Sequence, residues 1–101
     1  MARILSTDAE RLLGNVHGQN VFWCHDSCIM KNLRELRDAL ANMSAEVFAF
    51  HVNGEKNDFA NWVRDVVNDE TLARQIERSR NRARTAQIVA ERVNFLSTKL
   101  C

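Results

Sequence analysis

Apolar residues recur at helical spacing along most of this chain. Leu33, Leu36, Leu40 and Met43 follow one another at intervals of three and four residues, with charged residues between them. Such spacing places the four side chains on one face of a helix. Three further stripes repeat the pattern, at Phe59, Trp62, Val63 and Val66, at Leu72 and Ile76, and at Ile88, Val89, Val93 and Leu96. The pattern predicts a chain built mainly of short amphipathic helices.

Residues that favour helix ends stand between these stripes. We expect N-caps within residues 6–8, at Ser44, at Asn57 or Asp58, and at Asn68 or Asp69, and we expect the last helix to begin near Thr85. Gly14 should end the first helix. Asn53 and Gly54 should end another, because both tolerate the left-handed conformation that often follows a helix.

The first thirty residues differ from the rest. Residues 21–24 and 28–30 are brief apolar runs with strand preference, and they can pair as a small β-hairpin. We therefore expect one helical domain over residues 1–101. Its fold class is all-α in the main, a compact bundle of about five short helices, with a short helix and the minor hairpin in residues 1–30 and the helical core in residues 31–101.

Composition narrows the class of protein. Apolar residues make up 46% and charged residues 27% of the chain, an ordinary balance for a folded domain. Proline is absent and glycine occurs three times, which favours helices. No apolar run approaches the roughly 18 residues of a membrane span, and the first residues do not resemble a secretory signal. We therefore expect a cytoplasmic protein without a membrane partner.

Positive charge is concentrated in residues 74–84. This arginine strip has one glutamate and five arginines, Arg74, Arg78, Arg80, Arg82 and Arg84. On a single helix, Arg74, Arg78 and Arg82 would share one face, whereas Arg80 and Arg84 would lie on another. The strip has three interpretations: a solvated helix face, a contact for an acidic protein, or a contact for nucleic acid.

Residues 51–64 concentrate unusual polar side chains around a turn between two helices. The candidate binding residues of this polar corner are His51, Asn53, Asn57, Asp58, Trp62 and Arg64. They can form a hydrogen-bonded structural corner or line a cleft for a ligand or partner. A histidine beside a carboxylate can also act as a general base, but the segment supplies no nucleophile or oxyanion hole. We therefore expect no catalytic residues and no enzyme.

Cys24, His25 and Cys28 are the candidate metal ligands. Two thiols and an imidazole within five residues, with His17 upstream, could hold zinc, although no second Cys/His pair follows at the usual interval. The alternative is that Cys24 is a small core residue within its apolar run. Cys101 is expected to be an adventitious thiol that can crosslink two chains. We therefore expect no cofactor, with a zinc site as the alternative.

From about Phe22 to Phe95 the chain resembles a family of small prokaryotic, notably archaeal, helical domains of unknown function. The resemblance is carried by Lys31-Asn32-Leu33, by Met43-Ser44, and by the long run from His51-Val52-Asn53 through Lys56-Asn57-Asp58-Phe59-Ala60-Asn61-Trp62 to Arg64-Asp65-Val66. It implies a compact helical domain. It implies no activity, cofactor or partner.

The sequence therefore predicts a small non-enzymatic protein-interaction or regulatory module, with the polar corner and the arginine strip as contact surfaces. The alternatives are nucleic-acid binding through the arginine strip and a zinc-stabilised domain that uses Cys24 and Cys28. Both tryptophans and all five phenylalanines are expected in the core. The last helix has apolar residues on more than one face, which suggests a homodimer contact.

Overall fold

The computed structural model describes residues 4–100, and in this range the chain is mainly helical. Its helices are α1 (Ser6–Leu13), α2 (Leu33–Asn42), α3 (Ala45–His51), α4 (Asp58–Trp62), α5 (Glu70–Glu77) and α6 (Arg82–Ser97). The strands β1 (Phe22–Trp23) and β2 (Ile29–Met30) form an antiparallel hairpin. The all-α class with a minor hairpin is confirmed. No helix within residues 4–100 is long and apolar enough to cross a membrane.

The apolar stripes form one core. Leu33, Leu36, Leu40, Phe59 and Val63 are fully buried, as their spacing predicted. Helix α6 is the central element of this core, because it packs against α1, α2 and α5. The α-carbon radius of gyration is 12.9 Å, close to the about 13 Å expected for a compact chain of this length.

Five helices share one kind of N-terminal cap. In each case a side-chain oxygen of the cap residue accepts a hydrogen bond from the backbone N–H three residues further along the chain. The cap residues are Asn32, Ser44, Asn57, Asp69 and Asn81. Helix α1 differs from its prediction. Its N-cap is Leu5, whose backbone N–H donates to the carboxylate of Asp8 at 3.1 Å.

Two predicted helix boundaries are wrong, the end of α3 and the start of α6. Helix α3 ends at His51 and the chain continues in an extended conformation, so neither Asn53 nor Gly54 is left-handed. A bridge between Val52 and Asn57 closes the loop instead. The last helix begins at Arg82, three residues before the expected start, because Asn81 supplies its cap.

Helix α4 runs into a π-helical turn (Val63–Val67), which Asn68 ends in the left-handed conformation with φ 68°. The wider turn puts Asp69 at the start of α5, where its carboxylate both caps that helix and meets Arg92 of α6. π-turns are rare in helical chains. Here only two non-helical residues, Asn68 and Asp69, separate the turn from α5.

Candidate functional site

His51 ends α3 and is buried, with 4% of its surface exposed. Its Nε2 atom accepts a hydrogen bond from the backbone N–H of His25, at 3.0 Å. The ring proton therefore lies on Nδ1, which is 3.0 Å from Oδ2 of Asp58. With both nitrogens engaged, the neutral imidazole ties the hairpin loop to the start of α4 and has no free nitrogen for a substrate.

Asp58 completes this link at the start of α4. Its Oδ2 atom also accepts a hydrogen bond from Nζ of Lys56, at 2.9 Å. Burial raises the pKa of the Asp58 carboxyl, but the hydrogen bonds from His51 and Lys56 outweigh this effect and leave the pKa below its usual value. The carboxylate therefore stays charged in the folded protein at neutral pH.

Phe22 of β1 lies at the centre of the corner. Its ring centroid is 5.1 Å from that of His51, 5.1 Å from that of Phe59 and 5.9 Å from that of Trp62. Trp62 is buried, and its indole N–H donates to the carbonyl oxygen of Asn20 at 2.8 Å. The aromatic residues and His51 thus hold the hairpin and the segment before it against α3 and α4.

Two other candidates of the polar corner, Asn53 and Asn57, lie beside the cluster of His51 and the aromatic rings and are not part of it. Asn57 caps α4 and donates to the carbonyl of Ile76, at 3.4 Å, while Asn53 accepts the backbone N–H of Glu55 at 3.0 Å. A shallow groove of about 190 Å³ runs beside this loop, but its lining does not include His51, Asp58 or Trp62. The corner residues that converge are therefore packed together and not arranged around a cleft.

Arg64 belongs to a separate ion-pair network. Its Nε is 2.8 Å from Oε2 of Glu70, and its guanidinium also contacts Glu77. Arg74 pairs with the same Glu70 carboxylate at 3.2 Å. The hydrogen bond from Arg64, and after it the one from Arg74, lowers the pKa of Glu70. These pairs are exposed, and such pairs contribute little to stability.

The arginine strip is not one helix face. Helix α5 ends at Glu77 and α6 begins at Arg82, so the strip spans two helices and the turn between them. Arg82 donates to the carbonyl of Leu40 at 2.7 Å and thereby caps the C-terminus of α2. With Arg74 paired to Glu70 and Arg82 bound to the end of α2, the remaining arginines of the strip are Arg78, Arg80 and Arg84, none of which makes an ion pair within residues 4–100.

These three arginines line a groove of about 510 Å³ between α5 and α6, which we call the arginine groove. Ile88 contributes an apolar surface, and Gln75 and Glu91 complete its far end. A second groove of about 270 Å³ shares Gln75, Ile88 and Glu91 and extends to Phe95. The two grooves are therefore neighbours along α6 and share three lining residues.

The hairpin and the neighbouring end of α3 expose three large apolar side chains, two of which were expected in the core. Trp23 is 67% exposed, Ile29 44% and Phe50 48%. Trp23 and Ile29 are cross-strand partners. The ring of His25, two residues after Trp23, stacks on the ring of Phe50, with 3.9 Å between the ring centroids. We call Trp23, Ile29 and Phe50 the hairpin face. The core prediction is wrong for Trp23 and Phe50. Trp23 is exposed because successive residues of a strand face opposite sides, whereas Phe50 lies in α3 beside the hairpin loop.

The metal candidates stand in the hairpin loop. Cys24 is buried, which raises the pKa of its thiol, whereas His25 and Cys28 are exposed. Within residues 4–100, no three His, Cys, Asp or Glu side chains group closely enough to hold a metal ion. Zinc stabilisation stays a prediction that elemental analysis of the purified protein tests, since a structural site would retain close to one zinc per chain. Cys101 lies outside the described residues.

An ion pair that sequence reasoning did not predict joins the N-cap of α5 to α6. The guanidinium of Arg92 binds both carboxylate oxygens of Asp69, at 2.8 and 2.9 Å; the Asp69 side chain is buried, and that of Arg92 is 10% exposed. Asp69 was expected only as a helix cap, and the stem of Arg92 only as part of an apolar face. Their partnership needs the π-turn, which the apolar spacing does not reveal.

The apolar residues of α6 are mostly covered within the chain. Ile88, Val89, Val93 and Leu96 are buried, whereas Phe95 is 42% exposed. The core prediction is thus wrong for Phe95 as well, and the cationic groups of Arg92 and Lys99 lie 5.5 and 5.1 Å from its ring centroid. A homodimer through this helix therefore stays a prediction, and Phe95 is the apolar side chain it would use.

Comparison with known proteins adds no relative to these observations: no family model, no curated protein and no solved structure matches the chain.

Proposed function

We propose that this chain is a non-enzymatic protein-interaction or regulatory module that contacts its partner through the hairpin face. One observation carries the proposal, namely the exposure of Trp23, Ile29 and Phe50 on and beside one small hairpin. Exposed apolar surface is unfavourable in water, and contiguous patches of it commonly mark contact sites. Tryptophan in particular is enriched among the residues that dominate binding energy.

The polar corner supports this role by fixing the hairpin. A two-stranded hairpin alone is marginally stable. Here His51 holds the loop through the backbone of His25, and Phe22 packs between the rings of His51 and Phe59. The hairpin face is therefore presented on a rigid base, which lowers the entropy that binding would otherwise cost.

Affinity capture from a lysate, with the whole chain immobilised, tests the proposal. The variants Trp23→Ser and Phe50→Ser should each fail to retain a protein that the wild-type chain retains, because each variant has lost apolar contact area. Leu5→Ser is the matched control, since Leu5 is an exposed apolar residue outside the hairpin. The proposal fails if the wild-type chain retains nothing, or if Trp23→Ser retains the same proteins as Leu5→Ser.

Nucleic-acid binding through the arginine strip is the second candidate. Arg78, Arg80 and Arg84 favour it, because they have no acidic partner within the described part of the chain. Binding of single-stranded DNA should then weaken steeply with salt, with a logarithmic slope of roughly −0.7 for each phosphate contacted. A flat salt response, or no retention on heparin, would exclude it.

A further inference from the structure

We propose that the arginine groove binds an acidic, amphipathic segment of a partner protein. The segment would carry two or three carboxylates at one end and an aliphatic or aromatic side chain at the other. The groove shares no residue with the hairpin face, so this proposal does not depend on the one above.

The distribution of ion pairs identifies which cations are available. Glu70 neutralises Arg74, and the last carbonyls of α2 bind Arg82. Arg84 has only a neutral contact, from its Nη1 to Oε1 of Gln87 at 3.1 Å. Arg78, Arg80 and Arg84 thus place three planar donor groups around one groove, and no carboxylate of residues 4–100, Glu91 included, forms an ion pair with them. Carboxylates are the groups that such donors hold best.

The N-terminus of α6 adds to the positive potential of these three arginines. Its first turn carries no acidic residue, so the partial positive charge of the helix N-terminus is not offset there. Glutamates of a partner segment would face Arg78, Arg80 and Arg84 at this end of the groove. The other end, towards Phe95, would hold the apolar side chain of the segment.

The distance along α6 that the two neighbouring grooves span sets the length of the ligand. Arg84 and Phe95 are eleven positions apart on α6, which is about 16 Å at 1.5 Å per helical residue. An extended segment of about five residues, or a helical one of about eleven, covers this distance. Ile88 lies between the two ends and offers an apolar floor.

Glu91 favours a protein segment over a nucleic acid. Its carboxylate lines both grooves, midway between the arginines and Phe95. A nucleic-acid strand carries a charge on every nucleotide and would bring a phosphate against this carboxylate. A peptide can place a neutral residue there and keep its carboxylates for the arginines.

Fluorescence anisotropy with labelled peptides of about twelve residues tests the proposal. The probe has three glutamates at one end and a leucine and a phenylalanine at the other, and it is made in both chain directions. The first control peptide has glutamine in place of glutamate, and the second spreads the same residues evenly. We expect at least one direction of the probe to bind more tightly than either control.

Variants of the whole chain locate the site. Arg78→Gln and Arg84→Gln should each weaken binding about tenfold, because each removes a charged donor pair. Arg74→Gln is the matched control and should leave binding unchanged, since Arg74 is occupied by Glu70 and does not line the groove. Phe95→Ser should weaken binding of the probe but not of a purely acidic peptide.

Three results would overturn the proposal. The first is no binding of either probe at low salt. The second is equal binding by Arg74→Gln and by Arg78→Gln/Arg84→Gln, with circular dichroism showing both variants folded. The third is tighter binding of an oligothymidine of equal charge than of the probe, which would assign the groove to nucleic acid.

Discussion

Asp58 receives two donors of different kinds, the Nδ1–H of buried His51 and the ammonium group of exposed Lys56. Both favour the charged carboxylate, and together they outweigh the opposing effect of burial on its pKa. A carboxyl whose pKa is lower in the folded chain than in the unfolded chain stabilises the fold at high pH. Its contribution is complete above the unfolded value and is lost as the pH falls through the folded value.

The stability of the wild-type chain should therefore fall below about pH 4, near the ordinary carboxyl pKa, in part through Asp58. Asp58→Asn should flatten this dependence, because asparagine can still accept from His51 but does not titrate. Urea unfolding at several pH values between neutrality and pH 3 measures the effect. Asp65→Asn is the control, since Asp65 is exposed and makes no ion pair within residues 4–100; equal pH profiles for the two variants would contradict the prediction.

Asp69 and Arg92 form the ion pair best shielded from water. Removal of one partner leaves a buried charge without compensation, so Arg92→Met should lower the free energy of unfolding by about 3–5 kcal/mol. Asp69→Asn/Arg92→Met should recover part of this loss, because asparagine can cap α5 without a charge. Urea denaturation measures both. Arg11→Met, which breaks an exposed pair, should change the free energy by less than about 0.5 kcal/mol.

Among the elements, the hairpin depends most on its neighbours. Strand β1 directs Phe22 into the core and Trp23 into solvent, so two adjacent aromatic residues have opposite roles. Only the register of the hairpin separates them, because successive strand residues face opposite sides.

Phe22→Ala should lower the free energy of unfolding by about 3 kcal/mol or more, because it opens a cavity between His51 and Phe59. Trp23→Ala should change it by less than about 1 kcal/mol, because little of that ring is buried. Thermal unfolding of the two variants makes the comparison. Similar losses for both would mean that β1 does not have this register.

The break between α5 and α6 gives neighbouring arginines different roles. Arg82 satisfies carbonyl groups at the end of α2, whereas Arg80 makes no hydrogen bond or ion pair within the described residues. Arg82→Ala should therefore lower the free energy of unfolding by about 1–2 kcal/mol. Arg80→Ala should leave it within about 0.5 kcal/mol. Chemical denaturation distinguishes them, and a neutral Arg82→Ala would contradict the capping role.

At the scale of the whole molecule, the sequence predicts what is local. The buried stripes of α2, α4, α5 and α6 follow from their spacing, and Ser44, Asn57 and Asp69 were found as caps because capping depends on neighbours in sequence. The same reasoning singled out His51, Asp58 and Trp62. The sequence near these residues does not determine whether they face a cleft or the core. That depends on distant parts of the chain, namely the ring of Phe22 and the backbone of His25 and Asn20.

The polar contacts that the sequence analysis did not predict also join residues that are far apart in the chain. The pairing of Asp69 with Arg92 spans 23 positions, and the capping of α2 by Arg82 spans 42. A pattern of apolar and polar letters does not encode which polar groups meet across such distances. The exposure of Trp23 and Phe50 was missed for the related reason that composition assigns large aromatic residues to the interior by default.

The central position of α6 governs the order in which the chain can fold during synthesis. Helices α1 and α2 leave the ribosome first, yet much of their apolar surface is covered by α6, which emerges some forty residues after α2 ends. At about 5–20 residues per second, the synthesis of residues 43–97 takes roughly 3–11 seconds, and the early helices remain uncovered by α6 for that time. During that interval Leu36 and Leu40 are open to chaperones, so translation speed across residues 43–97 sets how long the nascent chain depends on them.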